Sequence, residues 1–409
     1  MRKILPLIAI LLSLSLCITG CTETGTARVN LMEGITAENG DEKKPDYVFT
    51  LSQYEVTSAF LKELSVSSEN FMFSPTSLSL ACGLAMNGAE GQTKSELENF
   101  FCMSFGSETY NRYMKAFMGS LKGEVKNAAS IWYRNDDRLT VNKDFLQKNA
   151  DYYNASAFKV NFNNDGKTAV NDWVKEATDG NIDSIIDDID KNTMMFLINA
   201  LTFEAQWQNP YSEKAVSSGT FKAKDKNYTV EMMKSTEDMY IEYGGATGFI
   251  KPYKNADYLF AVLLPEENVS LADYAATLSG DKLKNTIDSA AETTVYATMP
   301  KFQFNYSFTA DEILKKSGVE AAFDEDKADF ASMAKVKGAN LYIGEVLQKT
   351  YISVAENGTK AGAVTKVEMA AKTSLSPDTK TVTLDRPFIF MILDADTKIP
   401  VFTGAVNKF

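Results

Sequence analysis

The amino-acid sequence predicts an α+β fold. Helical spacing of apolar residues dominates the first half of the chain, and β-prone apolar runs dominate the second. From Tyr47 to Phe409 there is neither an internal repeat nor a linker-like stretch, so these residues read as one domain.

The elements follow in chain order. Arg2 and Lys3 precede an apolar run from Ile4 to Cys17 that is too short to span a membrane, and small residues follow, as in a secretory signal. The segment ends Ile-Thr-Gly-Cys21. Residues 22–45 are polar and aperiodic, and read as a flexible tether with a reach of roughly 25–30 Å. The expected organisation is a signal peptide over 1–20, a modified cysteine with its tether over 21–46, and a folded domain over 47–409.

Val56, Ala59, Phe60 and Leu64 have helical spacing. Ser74-Pro75 then opens a second helix, with serine as cap, proline in the first turn, a buried stripe of Ser77, Ala81, Leu84 and Ala85, and Gly88 as the stop. Val170, Trp173, Val174 and Ala177 predict another helix, ending at Gly180. Strands are expected at Ala128–Tyr133 and at Met194–Phe203. The latter is apolar enough to lie mid-sheet with both faces covered. The runs Tyr258–Leu264, Leu341–Val354, Pro387–Leu393 and Val401–Val406 are also β-prone.

Composition excludes several classes. A net charge of −12 disfavours nucleic acid as a partner, because phosphate backbones are repelled. With no histidine, the usual general base of Ser-His and Cys-His catalysis and the commonest metal ligand are both missing. Of four cysteines, Cys17 and Cys21 lie in the leader, so Cys82 and Cys102 alone cannot make a zinc site or a disulfide framework and read as reduced thiols in packed helices. No metal, cofactor or catalytic residue is expected. Ser-x-x-Lys occurs at Ser156/Lys159, Ser279/Lys282 and Ser332/Lys335, but the companion Lys-Thr-Gly is missing. Gly244, Gly245 and Gly248 lack the strand-then-helix context of a nucleotide loop.

Several segments, in one order across residues 47–409, carry a resemblance: NFMFSPTS at 70–77 running into NGAEGQT at 87–93, NDWV at 171–174, NALTF at 199–203 with Trp207, PKF at 300–302, ENGT at 356–359, DRPF at 385–388 and FTG at 402–404. Together they resemble the serpin family. The resemblance implies about nine helices around three β-sheets, with an exposed reactive loop over 356–385. It also implies inhibition by suicide: a protease cuts the loop, the loop inserts as a strand into the main sheet, and the acylated protease is carried along and distorted. The Ile-Thr-Gly-Cys end resembles a bacterial lipobox, which implies cleavage before Cys21, lipid on its sulfur, and a monomer held on the outer cell surface through that lipid alone.

The loop has a pattern of its own. Thr359, Ala361, Ala363, Thr365, Val367 and Met369 alternate with Lys360, Gly362, Val364, Lys366 and Glu368, as in a strand with one buried face. The hinge set is Glu356, Gly358, Thr359, Ala361, Gly362 and Ala363, small enough for the most part to enter between strands. A charge at Thr359 would bury an unpaired ion at a cost of several kcal/mol. At the spacing from Glu356 that inhibitory members use, the scissile bond is Lys372-Thr373, and lysine suits the acidic pocket of trypsin-like proteases. A slip of one register would offer Ala371 or Thr373, suited to elastase-like enzymes, Met369 is a further bait, and a cysteine protease is a further candidate target. Ser74, Ser77 and Asn199 match the polar shutter beneath the main sheet, and Trp207 matches the breach where insertion begins. Gln348 stands where many relatives have a histidine, with donor and acceptor capacity but different reach. The alternative is a non-inhibitory serpin serving as a cell-surface binding module.

Overall fold

The structure, a computed structural model, describes residues 28–38, 40–189, 193–359 and 379–409. Nine α-helices and three sheets of eight, nine and two strands make up the described residues, matching the expected α+β architecture. Helices lead and strands dominate after residue 195.

The helix Pro75–Met86 is the centre of the core. All of its residues are buried, as befits a helix that is apolar around most of its circumference. It packs against strand Met195–Phe203 of the main sheet and strand Pro400–Val406 of the second. Ser74 caps it, its hydroxyl accepting from the Ser77 N–H at 3.0 Å, and Pro75 occupies the first turn where no N–H is needed. Met195–Phe203 is buried on both faces, as its unbroken apolar run requires.

The main sheet runs in the order Arg28–Asn30, Ser156–Val160, Val125–Arg134, Met195–Phe203, Glu345–Ala355, Gly358–Thr359 and Ala205–Gln206, with Phe302–Thr309 on the far edge of Glu345–Ala355. Helix Asn164–Ala177 covers one end through a separate cluster in which Trp132, Phe158 and Trp173 meet edge to face or tilted. The nine-stranded sheet takes up Lys380–Thr383 parallel to Ala291–Pro300, so this part of the loop expected to be exposed over 356–385 is a strand instead. Leu341–Gly344, expected to be strand, precedes it: the strand begins at Glu345, and Gly344 N–H bonds instead to the Met195 carbonyl at 2.9 Å.

Residues 28–38 and 40–46 depart from the tether expected of them. Arg28–Asn30 adds an antiparallel strand to Ser156–Val160, and Leu31, Met32 and Ile35 pack on the core. Glu38 N–H bonds to Asp151 at 2.7 Å, and Lys43 N–H to the Arg112 carbonyl at 3.1 Å. The reason is local. An exposed sheet edge offers unpaired backbone groups to any nearby extended segment, and three apolar side chains among polar neighbours suffice to hold it there.

Candidate functional site

The site lies on one edge of strand Glu345–Ala355. Its lower part pairs in parallel with Met195–Phe203, from Glu345 opposite Phe196 to Lys349 opposite Ala200, and the ladder ends there. The next pairing on that edge is antiparallel, Val354 with Thr359 and Ala355 with Gly358. On its other side this two-residue piece pairs with Ala205–Gln206. The chain therefore turns at Glu356-Asn357 and re-enters the sheet as the beginning of another strand.

Gly358 is required at this turn. Its φ is +152°, and a Cβ there would lie 2.1 Å from the Ala205 carbonyl oxygen. Thr359 is 2% exposed, and its hydroxyl shares a hydrogen bond of 2.6 Å with the Tyr253 hydroxyl. The Tyr253 ring stacks on Trp207 with centroids 4.5 Å apart. Trp207 holds the turn twice, its indole N–H donating to the Ala355 carbonyl at 2.8 Å and its backbone N–H to the Asn357 carbonyl at 2.9 Å. Tyr211 N–H donates to the Glu356 carbonyl at 2.9 Å. The Glu356 carboxylate pairs with Lys301 at 2.5 Å, and Lys301 also reaches Glu231 at 3.2 Å. Burial pushes the Glu356 carboxyl up, but Lys301 outweighs it and holds the group below its ordinary value.

Beneath the sheet, Ser74, Ser77, Asn199 and Gln348 come together. Gln348 lies in register with Asn199 across the parallel ladder. Its carbonyl oxygen accepts from Ser74 N–H at 2.7 Å, and its amide donates to the Ser74 carbonyl at 3.1 Å. The Ser74 hydroxyl donates to the Val401 carbonyl at 2.6 Å, and the Asn199 amide to the Ser77 carbonyl at 2.8 Å. A glutamine thus satisfies both backbone groups of Ser74 at once, which a single imidazole ring nitrogen pair would do only with different geometry. On the face toward helix Asn164–Ala177, the Lys349 ammonium donates to the Ser184 carbonyl at 2.8 Å.

Ala361, Gly362, Ala363, Lys372, Thr373 and Cys21 lie outside the described residues. Tyr253, Tyr211, Lys301, Glu231 and Ala205 belong to the site, but sequence reasoning assigned none of them a role there. Lys301 lies within the PKF segment and Ala205 just after NALTF, whereas Tyr211, Glu231 and Tyr253 come to the site from parts of the chain that carry no signal. Cys82 and Cys102 are both free, and burial pushes the Cys82 thiol up to about 12. Ser279 is a helix cap, its hydroxyl accepting from the Lys282 N–H at 3.1 Å.

The family model Serpin (serine protease inhibitor) matches residues 52–409. A thermophilic serpin, tengpin, in its native state superposes with a TM-score of 0.89 at 39% identity, over 93% of this chain and 100% of its own. In its latent state tengpin gives a TM-score of 0.79 at 39% identity, over 90% and 100%. Serpin B8 of Homo sapiens is 29% identical over 360 residues, 84% of this chain and 94% of its own. A serpin-like protein of Thermococcus kodakarensis is 28% identical over 354 residues, 84% and 82% of the two chains. With the hinge turned into its main sheet and the family model matching nearly the whole folded part, the chain belongs to the serpins, a family of protease inhibitors.

Proposed function

We propose that this chain inhibits serine proteases by covalent trapping at Lys372-Thr373. The observation that carries the reading is the two-residue strand Gly358-Thr359, hydrogen-bonded on both sides at Val354-Ala355, five residues beyond the point where the parallel ladder ends at Lys349. A segment following Thr359 has its first two ladder pairings made before any cleavage. At about 3.3 Å per residue, residues 360–372 would extend roughly 40 Å, the scale of the displacement needed to carry a protease from one end of the sheet to the other.

The steps balance. The protease serine oxygen attacks the Lys372 carbonyl carbon, and its proton passes through the protease's histidine to the Thr373 nitrogen. The peptide bond breaks and an acyl ester to Lys372 remains. Residues 360–372 then descend between strands 195–203 and 345–355, gaining ladder hydrogen bonds and burying the small alternating face. Deacylation by water competes, so inhibition is a race that fast hinge entry wins. Gly358 and Thr359 favour entry because neither presents bulk or charge to the strands.

Serpins act as inhibitors rather than catalysts, and this chain's part is to be cut once. Trypsin-like enzymes suit Lys372, and an elastase-like enzyme would cut after Ala371 or Thr373. We place the protein outside a bacterial cell, as a monomer held by lipid on Cys21. Because Arg28 already pairs with the main sheet, the free span from Cys21 is at most roughly 25 Å, which keeps the folded part close to the membrane. The test is incubation of the chain lacking its leader with trypsin and, separately, with neutrophil elastase. A band at the summed mass that survives boiling in detergent supports trapping, whereas clean loop cutting with no such band supports a surface binding module.

A further inference from the structure

Below the hinge lie two charges where the strands should hold aliphatic side chains. Glu237 and Lys251 pair at 2.8 Å, their side chains 4% and 1% exposed. Glu237 is on an inward position of strand Asn227–Tyr243, opposite Val295 and next to the register shift between Glu292 and Val295. Lys251 follows Ile250, the last residue of its strand that pairs with Asn227–Tyr243. Such a pair is a poor device for stability alone, since removing two ions from water offsets most of their attraction.

Its surroundings give it another use. The Lys251 ammonium lies 4.5 Å from the Tyr211 ring centroid and 5.6 Å from that of Trp207, within cation–π reach of both. Those two residues donate the backbone N–H groups that hold Glu356 and Asn357. The neighbouring Pro252 carbonyl accepts from Gln208 N–H at 3.0 Å, tying the same strand to the same segment. A contiguous path runs from the carboxylate through the ammonium and two rings to the hinge backbone.

We infer that Glu237–Lys251 is a positioning pair that holds the Trp207–Tyr211 segment, and through it the hinge, in the geometry from which the loop enters the sheet. The inference rests on the inhibitor reading for its functional consequence and on the hinge geometry alone for its structural one. The carboxylate fixes the direction of the ammonium, and the ammonium fixes both rings. An apolar pair would fill the same space without constraining them. A hinge held less firmly enters the sheet more slowly, and more inhibitor is cut without trapping.

The experiment compares the full chain with E237Q and with E237L/K251M by melting temperature, by amide exchange of peptides covering 205–211 and 388–394, and by the number of inhibitor molecules consumed per trypsin trapped. E237Q raises exchange across 205–211 by about tenfold and leaves 388–394 unchanged. E237L/K251M recovers the melting temperature, since no ion is left unpaired, yet keeps 205–211 fast and consumes at least about threefold more inhibitor per protease. Wild-type protection of 205–211 in E237Q, or its return together with the melting temperature in E237L/K251M, overturns the inference and leaves the pair merely structural. If E237Q does not fold, the double variant decides alone. If the wild-type chain traps no trypsin, the inhibitor reading fails while exchange still decides the role of the pair.

Discussion

One edge of strand Glu345–Ala355 is built in two ways. Along 345–349 it is zipped to Met195–Phe203 in parallel, and Gln348 and Asn199 bind the helix N-terminus beneath, so this half is closed by backbone and side chains together. At 354–355 the partner is a two-residue wedge held by Trp207, Tyr253 and Tyr211. The same strand thus carries a closed half and a half where another strand has been started. Under the proposed trapping mechanism the difference separates two quantities: the lower half would govern how hard the sheet is to open, and the upper half how readily the loop enters.

Substitutions should divide along that line. The largest effect is expected from Thr359→Arg. A guanidinium at a 2% exposed position has no partner, so entry stalls and the protein becomes a substrate, with at least about tenfold more inhibitor consumed per protease. Its melting temperature should stay near wild type, because the side chain can swing out with the wedge. A matching fall in melting temperature would break the division. Next is Gln348→Ala, which strands the Ser74 N–H and leaves the Ser74 carbonyl with the Leu78 N–H alone, and should lower stability by about 2–3 kcal/mol in denaturant unfolding. An unchanged unfolding midpoint would mean that the lower half is held by its ladder alone.

Gly358→Val should follow, since a Cβ cannot coexist with the Ala205 carbonyl. Local stability of the wedge falls by about 2–3 kcal/mol, read as faster exchange at Thr359 with the 388–394 strand unaffected. The smallest effect is that of acid. The Glu356 carboxyl is held below its ordinary 4.5, so its pairing with Lys301 contributes fully above that pH. The contribution is lost as the pH falls below 4.5 through the lowered value, because the native state must then take up a proton it resists. Thr359 exchange should therefore quicken below about pH 4.5 in the wild type but not in Glu356→Gln.

The lower half was far more legible in sequence than the upper. Ser74-Pro75 announces a capped helix, the run to Phe203 announces a buried strand, and Asn199 stands out as a polar residue in that apolar run, while Gln348 is marked by the family resemblance alone. Those signals are local, and local signals survive in a single sequence. The upper half depends on Tyr253, Tyr211 and Lys301 meeting Thr359 and Glu356 across long stretches of chain, and no periodicity encodes such a meeting. Residues 28–46 went unread for a related reason. Their polarity is that of a tether, and only the sheet edge at Ser156–Val160 turns three apolar residues into an anchor. Glu237 and Lys251 conform to strand alternation while violating its chemistry, visible as a departure only once both are known to face inward.

The central claim is that the wedge at Gly358-Thr359 begins a strand that cleavage completes. Its most direct test is to treat the chain lacking its leader with trypsin, resolve the products on a denaturing gel, and find the new N-terminus by mass spectrometry. A detergent-stable band at the summed mass, with the released peptide beginning at Thr373, is the predicted result. Cleavage within 360–378 that yields two fragments and free active trypsin would contradict it.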